Sequence, residues 1–218
     1  MIEGWYERSI AILTQALAKG TSDLETDFLL GESYLVSGQY AKAIDLFSRL
    51  ITYRPNHVRY YSMLGTAHRQ AGRMMESGSV LEIALLMDPD NINTLVSLAN
   101  TYFRLGWYEK AEQLLNRAHE LNPEMGELFV NLGVVKWKMG DQKAASKYFD
   151  QAIESCANPQ AALNNQANLL FHDGDIRKAI REYRKADKVG KKNEIILYNI
   201  ALAYLKRGKT KEAARYFD

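Results

Sequence analysis

The sequence predicts an all-α fold built from repeated pairs of short helices, and three observations predict it. Glycine recurs at a constant interval of 34 residues along the whole chain, beginning at Gly4 and Gly38. Between these glycines, apolar residues recur at spacings of three and four, which is the period of an amphipathic helix. Three of the four prolines, Pro55, Pro89 and Pro123, hold one fixed phase within the same interval. A constant interval of this length is typical of helical repeat arrays.

The periodic glycines are expected to end the first helix of each pair. Glycine has no Cβ, so it adopts at little cost the left-handed conformation that commonly follows a helix. Half of the 14 glycines obey this one spacing: Gly4, Gly38, Gly72, Gly106, Gly140, Gly174 and Gly208.

The second helix of each pair begins just after its glycine. The stretch from Tyr40 to Ile51 places Ala43, Phe47 and Leu50 on one helical stripe. The periodic prolines follow such stripes and are expected to end them, because proline and the residue before it are disfavoured in helices. Small residues one turn in from the helix ends are expected to let the two helices of a pair approach closely. Each unit is therefore predicted to be helix, turn, helix, turn.

These residues resemble the tetratricopeptide repeat (TPR) family. The residues that match the family pattern in the third unit are Leu98, Ala99, Tyr102, Gly106, Tyr108, Ala111, Leu115, Ala118 and Pro123. The resemblance implies a right-handed superhelical solenoid of TPR helix-turn-helix repeats. It divides the chain, as one solenoid domain, into helix B of an incomplete repeat (1–23), five repeats (24–57, 58–91, 92–125, 126–159, 160–193) and a truncated sixth (194–218).

The two ends of the chain are predicted to interrupt this pattern. Gly4 is expected to form the turn before helix B of a unit without its helix A, and Asp218 falls within helix B of the last unit. Repeat arrays usually carry polar terminal elements that cover the apolar face of the last repeat. Two interpretations follow: the chain is a piece of a longer protein, or an uncapped terminal helix pairs with another copy.

Composition excludes several classes of protein. The net charge of +2, the 47% hydrophobic content and the lack of a signal peptide or long apolar run predict a cytoplasmic protein with no transmembrane segment. The one cysteine, Cys156, cannot form an internal disulfide. No phosphate-binding loop, metal-ligand spacing or nucleophile motif is recognisable, so we expect neither a metal, nor a cofactor, nor an enzyme.

Asparagine side chains form the strongest candidate for a binding site. In TPR arrays the first helices line a concave groove, and one first-helix position reads Leu29, Met63, Ser97, Asn131, Asn165 and Asn199. Asn100 and Asn168 lie one turn further along. An amide offers a donor and an acceptor, so this row is predicted to hold the backbone of an extended peptide. The alternative is that these asparagines only bridge neighbouring helices.

Aromatic and basic side chains are expected to extend this groove. They would supply apolar pockets and positive charge to a bound segment, although packing within the array is the alternative role for the aromatic rings. These residues are Phe103, Trp137, Lys138, Phe171, His172, Tyr198 and Lys206.

The last fifth of the chain is strongly basic. From Arg177 onward there are thirteen basic and five acidic residues. A helical spacing relates Arg177, Arg181, Arg184 and Lys188. They are interpreted as a solvated outer face or as a docking surface for an acidic partner, either a protein or a membrane. Nucleic acid is not expected, because aromatic residues are not interleaved on that face.

These features predict a protein-binding scaffold or adaptor that holds an extended segment of a partner in the TPR groove. Two alternatives belong to other classes. One is the targeting region of a larger enzyme, such as a glycosyltransferase of the O-GlcNAc type. The other is a self-assembling scaffold of the kind that coats bacterial organelles.

Overall fold

The computed structural model describes residues 3–18, 23–156 and 158–216, and every regular element within these ranges is an α-helix. In chain order the helices are α1 (Glu3–Ala18), α2 (Leu24–Val36), α3 (Tyr40–Tyr53), α4 (Val58–Gln70), α5 (Met74–Met87), α6 (Ile92–Arg104), α7 (Tyr108–Leu121), α8 (Glu127–Lys138), α9 (Gln142–Ser155), α10 (Gln160–His172), α11 (Ile176–Val189), α12 (Glu194–Lys206) and α13 (Thr210–Ala214). The predicted all-α class is confirmed.

The chain divides into two compact units. The N-terminal unit comprises Met1–Leu114 and the C-terminal unit comprises Leu115–Asp218, so the boundary falls within α7. The repeat bounds and the single solenoid domain inferred from the sequence stay predictions. Phe217 and Asp218, on which the predicted end of the last repeat depends, lie outside the described residues.

Glycine forms the turn inside six helix pairs. At the first of them Gly38 has φ +77°, the Gln39 amide donates to the carbonyl of Tyr34 at 2.8 Å, and the Gly38 amide donates to Leu35 at 3.3 Å. These two bonds satisfy carbonyls that the end of a helix leaves without a helical partner. The same positive φ, between 72° and 86°, occurs at Gly72, Gly106, Gly140, Gly174 and Gly208.

Gly4 is the exception, and its expected role as a turn is wrong. Gly4 lies inside α1, which already begins at Glu3. Gly4 therefore continues a helix, whereas the six later glycines of this spacing adopt a positive φ.

A second set of glycines brings the two helices of a pair together. A Cβ on Gly31 would lie 2.7 Å from the ring of Phe47, and one on Gly133 would lie 2.5 Å from the ring of Phe149. At Gly65 the obstacle is Leu81, also at 2.5 Å. Each large side chain therefore packs directly on the backbone of the facing helix, which confirms the expected close approach.

Helix starts are stabilised by polar side chains. The carboxylate of Asp141 accepts from the Ala144 amide at 3.0 Å, and Asn193 accepts from the Ile195 amide at 2.9 Å. Such caps satisfy backbone amides that lack a helical partner. Pro55, Pro89 and Pro123 each follow the last residue of a helix by two positions.

Each unit has its own hydrophobic core. In the N-terminal unit Phe28, Phe47 and Tyr60 form an aromatic group within a larger apolar cluster. In the C-terminal unit Tyr183 and Ile200 are buried between α10, α11 and α12. Within the described ranges, none of the helices is both long and apolar enough to cross a membrane.

Candidate functional site

The candidate site in the C-terminal unit is formed by the first helices of its helix pairs, α8, α10 and α12. Their partners are α9, α11 and α13, and each helix packs on its partner. Helix α10 also contacts α8 and is hydrogen-bonded to α12. This arrangement places the predicted asparagines on neighbouring helices.

Asn199 and Asn168 take part in a network that joins α10, α11 and α12. The Asn199 Nδ2 donates to Asn164 Oδ1 at 3.1 Å and to Asn168 Oδ1 at 3.5 Å. The Tyr183 hydroxyl donates to the same Asn168 oxygen at 2.6 Å. Burial raises the pKa of Tyr183 to about 12, so this hydroxyl remains a donor at neutral pH. These two asparagines therefore bridge helices of the array.

Asn165 faces open space beside that network. Together with its neighbours it lines a shallow hollow of about 170 Å³, a volume equivalent to roughly five or six water molecules. One wall is apolar, because Ile195 is 66% exposed there. The residues that line the hollow are Gln160, Ala161, Asn164, Asn165, Asn193, Ile195 and Ile196.

Gln160 gives this hollow a fixed edge. Its Nε2 donates to the carbonyl of Ala186 at 3.1 Å and to that of Lys191 at 2.9 Å, so it caps the end of α11. Gly190 makes room for it, since a Cβ at that position would clash with the Gln160 side chain. The hollow is thus bordered by a side chain held in place at both of its amide hydrogens.

Three of the other predicted groove residues meet at one end of α8 and α10. The ring of Trp137 lies 5.3 Å from His172, edge to face, and Phe171 lies 6.1 Å from His172. Trp137 and Phe171 are partly buried against the core, whereas His172 is exposed. The group offers a partly apolar surface with one exposed imidazole ring.

The remaining predicted residues are more scattered. Asn131 is half-buried on α8, and Lys138, Tyr198 and Lys206 are exposed on α8 and α12. Asn100 and Phe103 lie on α6, in the N-terminal unit, where Phe103 packs against Tyr108 at 5.6 Å. Their roles in ligand binding stay predictions.

The N-terminal unit contains a separate apolar pocket that sequence reasoning missed. It has a volume of about 450 Å³, and Leu29 and Val36, at 44% and 58% exposure, open onto solvent beside it. The Glu32–Arg59 ion pair, 3.0 Å long, places charge next to it. The lining residues are Ser9, Leu13, Leu29, Glu32, Ser33, Leu35, Val36 and Met63.

A signal for this pocket was present in the sequence. Leu29 and Met63 occupy the same repeat position as Asn131, Asn165 and Asn199. This position is apolar in the first two repeats and carries amides in the last three. The sequence therefore indicates an apolar surface at this position near the N-terminus. Asn164 could also have been identified, because it directly precedes Asn165 in the sequence.

Cys156 lies in surroundings that disfavour its reactive form. Burial, followed by the nearby carboxylate of Glu127, raises the pKa of the Cys156 thiol, which disfavours the nucleophilic thiolate. No cluster of three or more His, Cys, Asp or Glu side chains in residues 3–18, 23–156 and 158–216 is arranged to hold a metal ion.

Comparison with protein families places the chain among helical repeat proteins. Residues 1–179 match the model described as the tetratricopeptide repeat protein 21 N-terminal ARM repeat, and residues 164–218 match a tetratricopeptide repeat model. A thermophilic TPR protein from Thermus thermophilus has a similar structure, with a TM-score of 0.74 and 21% sequence identity over 84% of this chain and 100% of that one. At this identity the likeness shows the fold alone.

Curated relatives are similar in sequence over most of this chain. A TPR repeat-containing protein of Methanocaldococcus jannaschii is 22% identical over 99% of this chain and 35% of its own length. The BBSome complex member BBS4 of Bos taurus is 22% identical over 94% of this chain and 45% of its own. The human protein O-mannosyl-transferase TMTC1 is 22% identical over 85% of this chain and 21% of its own. The chain spans less than half the length of these relatives.

Proposed function

The chain belongs to the tetratricopeptide repeat family, and from that premise we propose that it is a scaffold or adaptor that binds an extended segment of another protein. The observation that carries the proposal is the placement of Asn165 at an open hollow on α10, in the same repeat position as Asn131 and Asn199. In this proposal, the side-chain amides at this position contact the bound segment from α8, α10 and α12 in turn.

The chemistry of these amides suits a peptide backbone. A carboxamide donates to a carbonyl and accepts from an amide N–H, whatever the side chains of the guest. Each such bond contributes about 0.5 to 1.5 kcal/mol, so several are needed for useful affinity. Asn199 and Asn168 use part of their capacity within the array. Asn165 and Asn131 are therefore assigned the main contacts with the guest.

The pocket of the N-terminal unit supports the same function independently. Its walls include Leu13, Leu29 and Met63, and its volume of about 450 Å³ suits an apolar side chain of a partner. We assign it the role of an anchor for such a side chain. The variant Leu29→Asp would place a charge in it, at a position that is already 44% exposed, and is expected to abolish that anchoring.

Selection from a displayed library of short unstructured peptides tests the proposal. The dissociation constant of a selected peptide is expected to rise by tenfold or more in the variant Asn131→Ala/Asn165→Ala/Asn199→Ala, which is about 1.4 kcal/mol. Asn131→Ala/Asn165→Ala alone should account for most of this loss. The matched control is Asn56→Ala/Asn122→Ala, which removes exposed amides after α3 and α7. If the triple variant and the control bind the selected peptide equally well while helicity is intact, the three asparagines serve packing and not peptide binding.

A second candidate function is that these repeats are the partner-binding region of a larger enzyme. It is favoured by the similarity to protein O-mannosyl-transferase TMTC1, of which this chain matches about a fifth. The coding sequence on either side of these residues separates the two proposals. An adjoining catalytic domain supports the enzyme, and flanking sequence that contains only further repeats supports the scaffold.

A further inference from the structure

A second groove lies in the C-terminal unit, away from the asparagines, between α11 and the turn that follows α12. Its volume is about 470 Å³. Ile180 and Tyr204 are its apolar members, and all its other lining residues are cations: Arg177, Arg181, Arg184, Lys185, Lys188, Arg207 and Lys209. We call it the cationic groove.

The cations of α11 form one straight row. Arg177, Arg181, Arg184 and Lys188 are spaced by four, three and four residues, and all four are exposed. Residues at such spacings share one face of a helix. At about 1.5 Å per residue the row is roughly 16 Å long. Arg207 and Lys209 supply charge from the opposite wall, on either side of the turn at Gly208.

Carboxylates of the chain neutralise only part of this charge. Glu182, itself 7% exposed, pairs with Arg181 at 3.1 Å and with Lys185 at 2.8 Å, and Glu212 pairs with Lys209 at 2.9 Å. Within residues 158–216 no carboxylate lies within ion-pair distance of the remaining cations, which are Arg177, Arg184, Lys188 and Arg207. Arginine and lysine carry their full charge at neutral pH. In this part of the chain, four charges therefore face the groove without an ionic partner.

We propose that the cationic groove binds an extended acidic segment of a partner protein. Side chains on one side of an extended chain are about 6.6 Å apart, and successive cations of α11 are separated along the helix axis by about 4.5 to 6 Å, a difference that long, flexible side chains can accommodate. A segment of about five residues would span the row. Arginine is suited to such a segment because its guanidinium binds a carboxylate through two parallel hydrogen bonds. The site is distinct from the asparagine row and does not depend on the peptide proposed for it.

The lining of the groove favours protein over nucleic acid or membrane. Single-stranded nucleic acid needs a series of aromatic side chains for its bases, and Tyr204 is the one aromatic residue among those that line this groove. Its ring already stacks on Tyr216 at 5.9 Å. An amphipathic helix that inserts into a membrane presents apolar side chains, whereas Ile180 at the base of the groove is only 6% exposed.

Fluorescence anisotropy with a labelled peptide in which glutamate alternates with serine tests the assignment. The peptide is expected to bind at low ionic strength and to weaken as salt is added, since exposed charges are screened. A peptide with glutamine in place of glutamate should not bind. The variant Arg184→Glu/Lys188→Glu should weaken binding by tenfold or more. The matched control, Lys143→Glu/Lys147→Glu, reverses two exposed charges with the same spacing on α9 and should leave affinity unchanged.

Several results would overturn the proposal. The glutamate and glutamine peptides could bind equally well, or the α9 control could lose as much affinity as the α11 variant. A single-stranded oligonucleotide or anionic phospholipid vesicles could also bind more tightly than the peptide does. If charge reversal lowers the helicity measured by circular dichroism, Arg184→Gln/Lys188→Gln replaces it and must still weaken binding. Arg184→Lys keeps the charge but not the paired hydrogen bonds, so it should weaken binding less than charge reversal does.

Discussion

The side-chain amide of Asn199 on α12 donates a hydrogen bond to the Oδ1 of Asn164 on α10, across 3.1 Å. The two residues are 35 positions apart, one more than the repeat interval, so the bond joins successive repeats and not equivalent positions. An asparagine in the candidate binding row thus contributes to the array itself. Stability and ligand binding can be separated within the row, because its members differ in their partners.

The variant Asn199→Ala is expected to lower the free energy of unfolding by about 1 kcal/mol, because it leaves the half-buried Asn164 oxygen without this donor. Asn131→Ala removes no hydrogen bond seen within residues 127–156 and should cost less than about 0.5 kcal/mol. Urea denaturation followed by circular dichroism compares the two variants. Equal losses would contradict the structural role assigned to Asn199.

Gly78 lies in the middle of α5, where a Cβ would approach nothing closer than Tyr102, at 3.9 Å. Gly78→Ala should therefore stabilise the protein by up to about 1 kcal/mol, since glycine is a poor residue for a helix interior. Thermal unfolding measures the effect.

Gly65→Ala is the informative comparison for Gly78→Ala. It introduces the same methyl group, but 2.5 Å from Leu81, and overpacking should destabilise the protein by about 1 to 3 kcal/mol. Opposite signs for the two substitutions are expected. A stabilising Gly65→Ala would show that Leu81 can move aside.

Gly174→Ala is expected to destabilise the turn between α10 and α11 by about 1 kcal/mol. Gly174 has φ +85°, and nothing lies within 4 Å of a Cβ built there, so the cost arises from the backbone conformation alone. Gly174→Asn should cost less, because asparagine tolerates the left-handed region better than alanine. The urea concentration at the midpoint of unfolding should be highest for the wild type, lower for Gly174→Asn and lowest for Gly174→Ala. Equal midpoints would contradict this explanation.

The phenol of Tyr183 should titrate near pH 12, because burial raises its pKa from the ordinary value of 10.0. The folded state keeps this proton after the unfolded chain has lost it. The stability that the group contributes is therefore full below about pH 10 and is lost as the pH rises toward 12. The phenolate absorbance of Tyr183→Phe, subtracted from that of the wild type at each pH, gives the midpoint of the Tyr183 titration. The variant should also lose less unfolding free energy over that pH range, and a midpoint near pH 10 would contradict the burial argument.

Helix ends were predictable because they depend on local chemistry. Gly38 and Gly174 end helices through their own φ angles and two backbone hydrogen bonds, so residues close in the sequence suffice to identify them. The prediction failed at Gly4. The GWYE motif occurs at both Gly4 and Gly106, but Gly4 lies inside α1 and Gly106 forms a turn, so this motif alone does not define a helix end.

The site was less predictable because it depends on contacts between repeats. The asparagine row could be read from a constant position, but the pairing of Asn199 with Asn164 requires the relative shift of α10 and α12. The helical spacing of the arginines and lysines on α11 likewise predicted a basic face from the sequence alone. The opposite wall, from Arg207 and Lys209, follows from the packing of α12 on α11 and has no periodic signal.

The double cap made by Gln160 exposes the protein to chemical ageing. Its Nε2 hydrogens point at two carbonyl oxygens, those of Ala186 and Lys191. Deamidation would replace this donor with a carboxylate, which can only accept and would repel both carbonyls. The end of α11 would then loosen during long storage, and Gln160→Glu reproduces the deamidated product in a fresh sample.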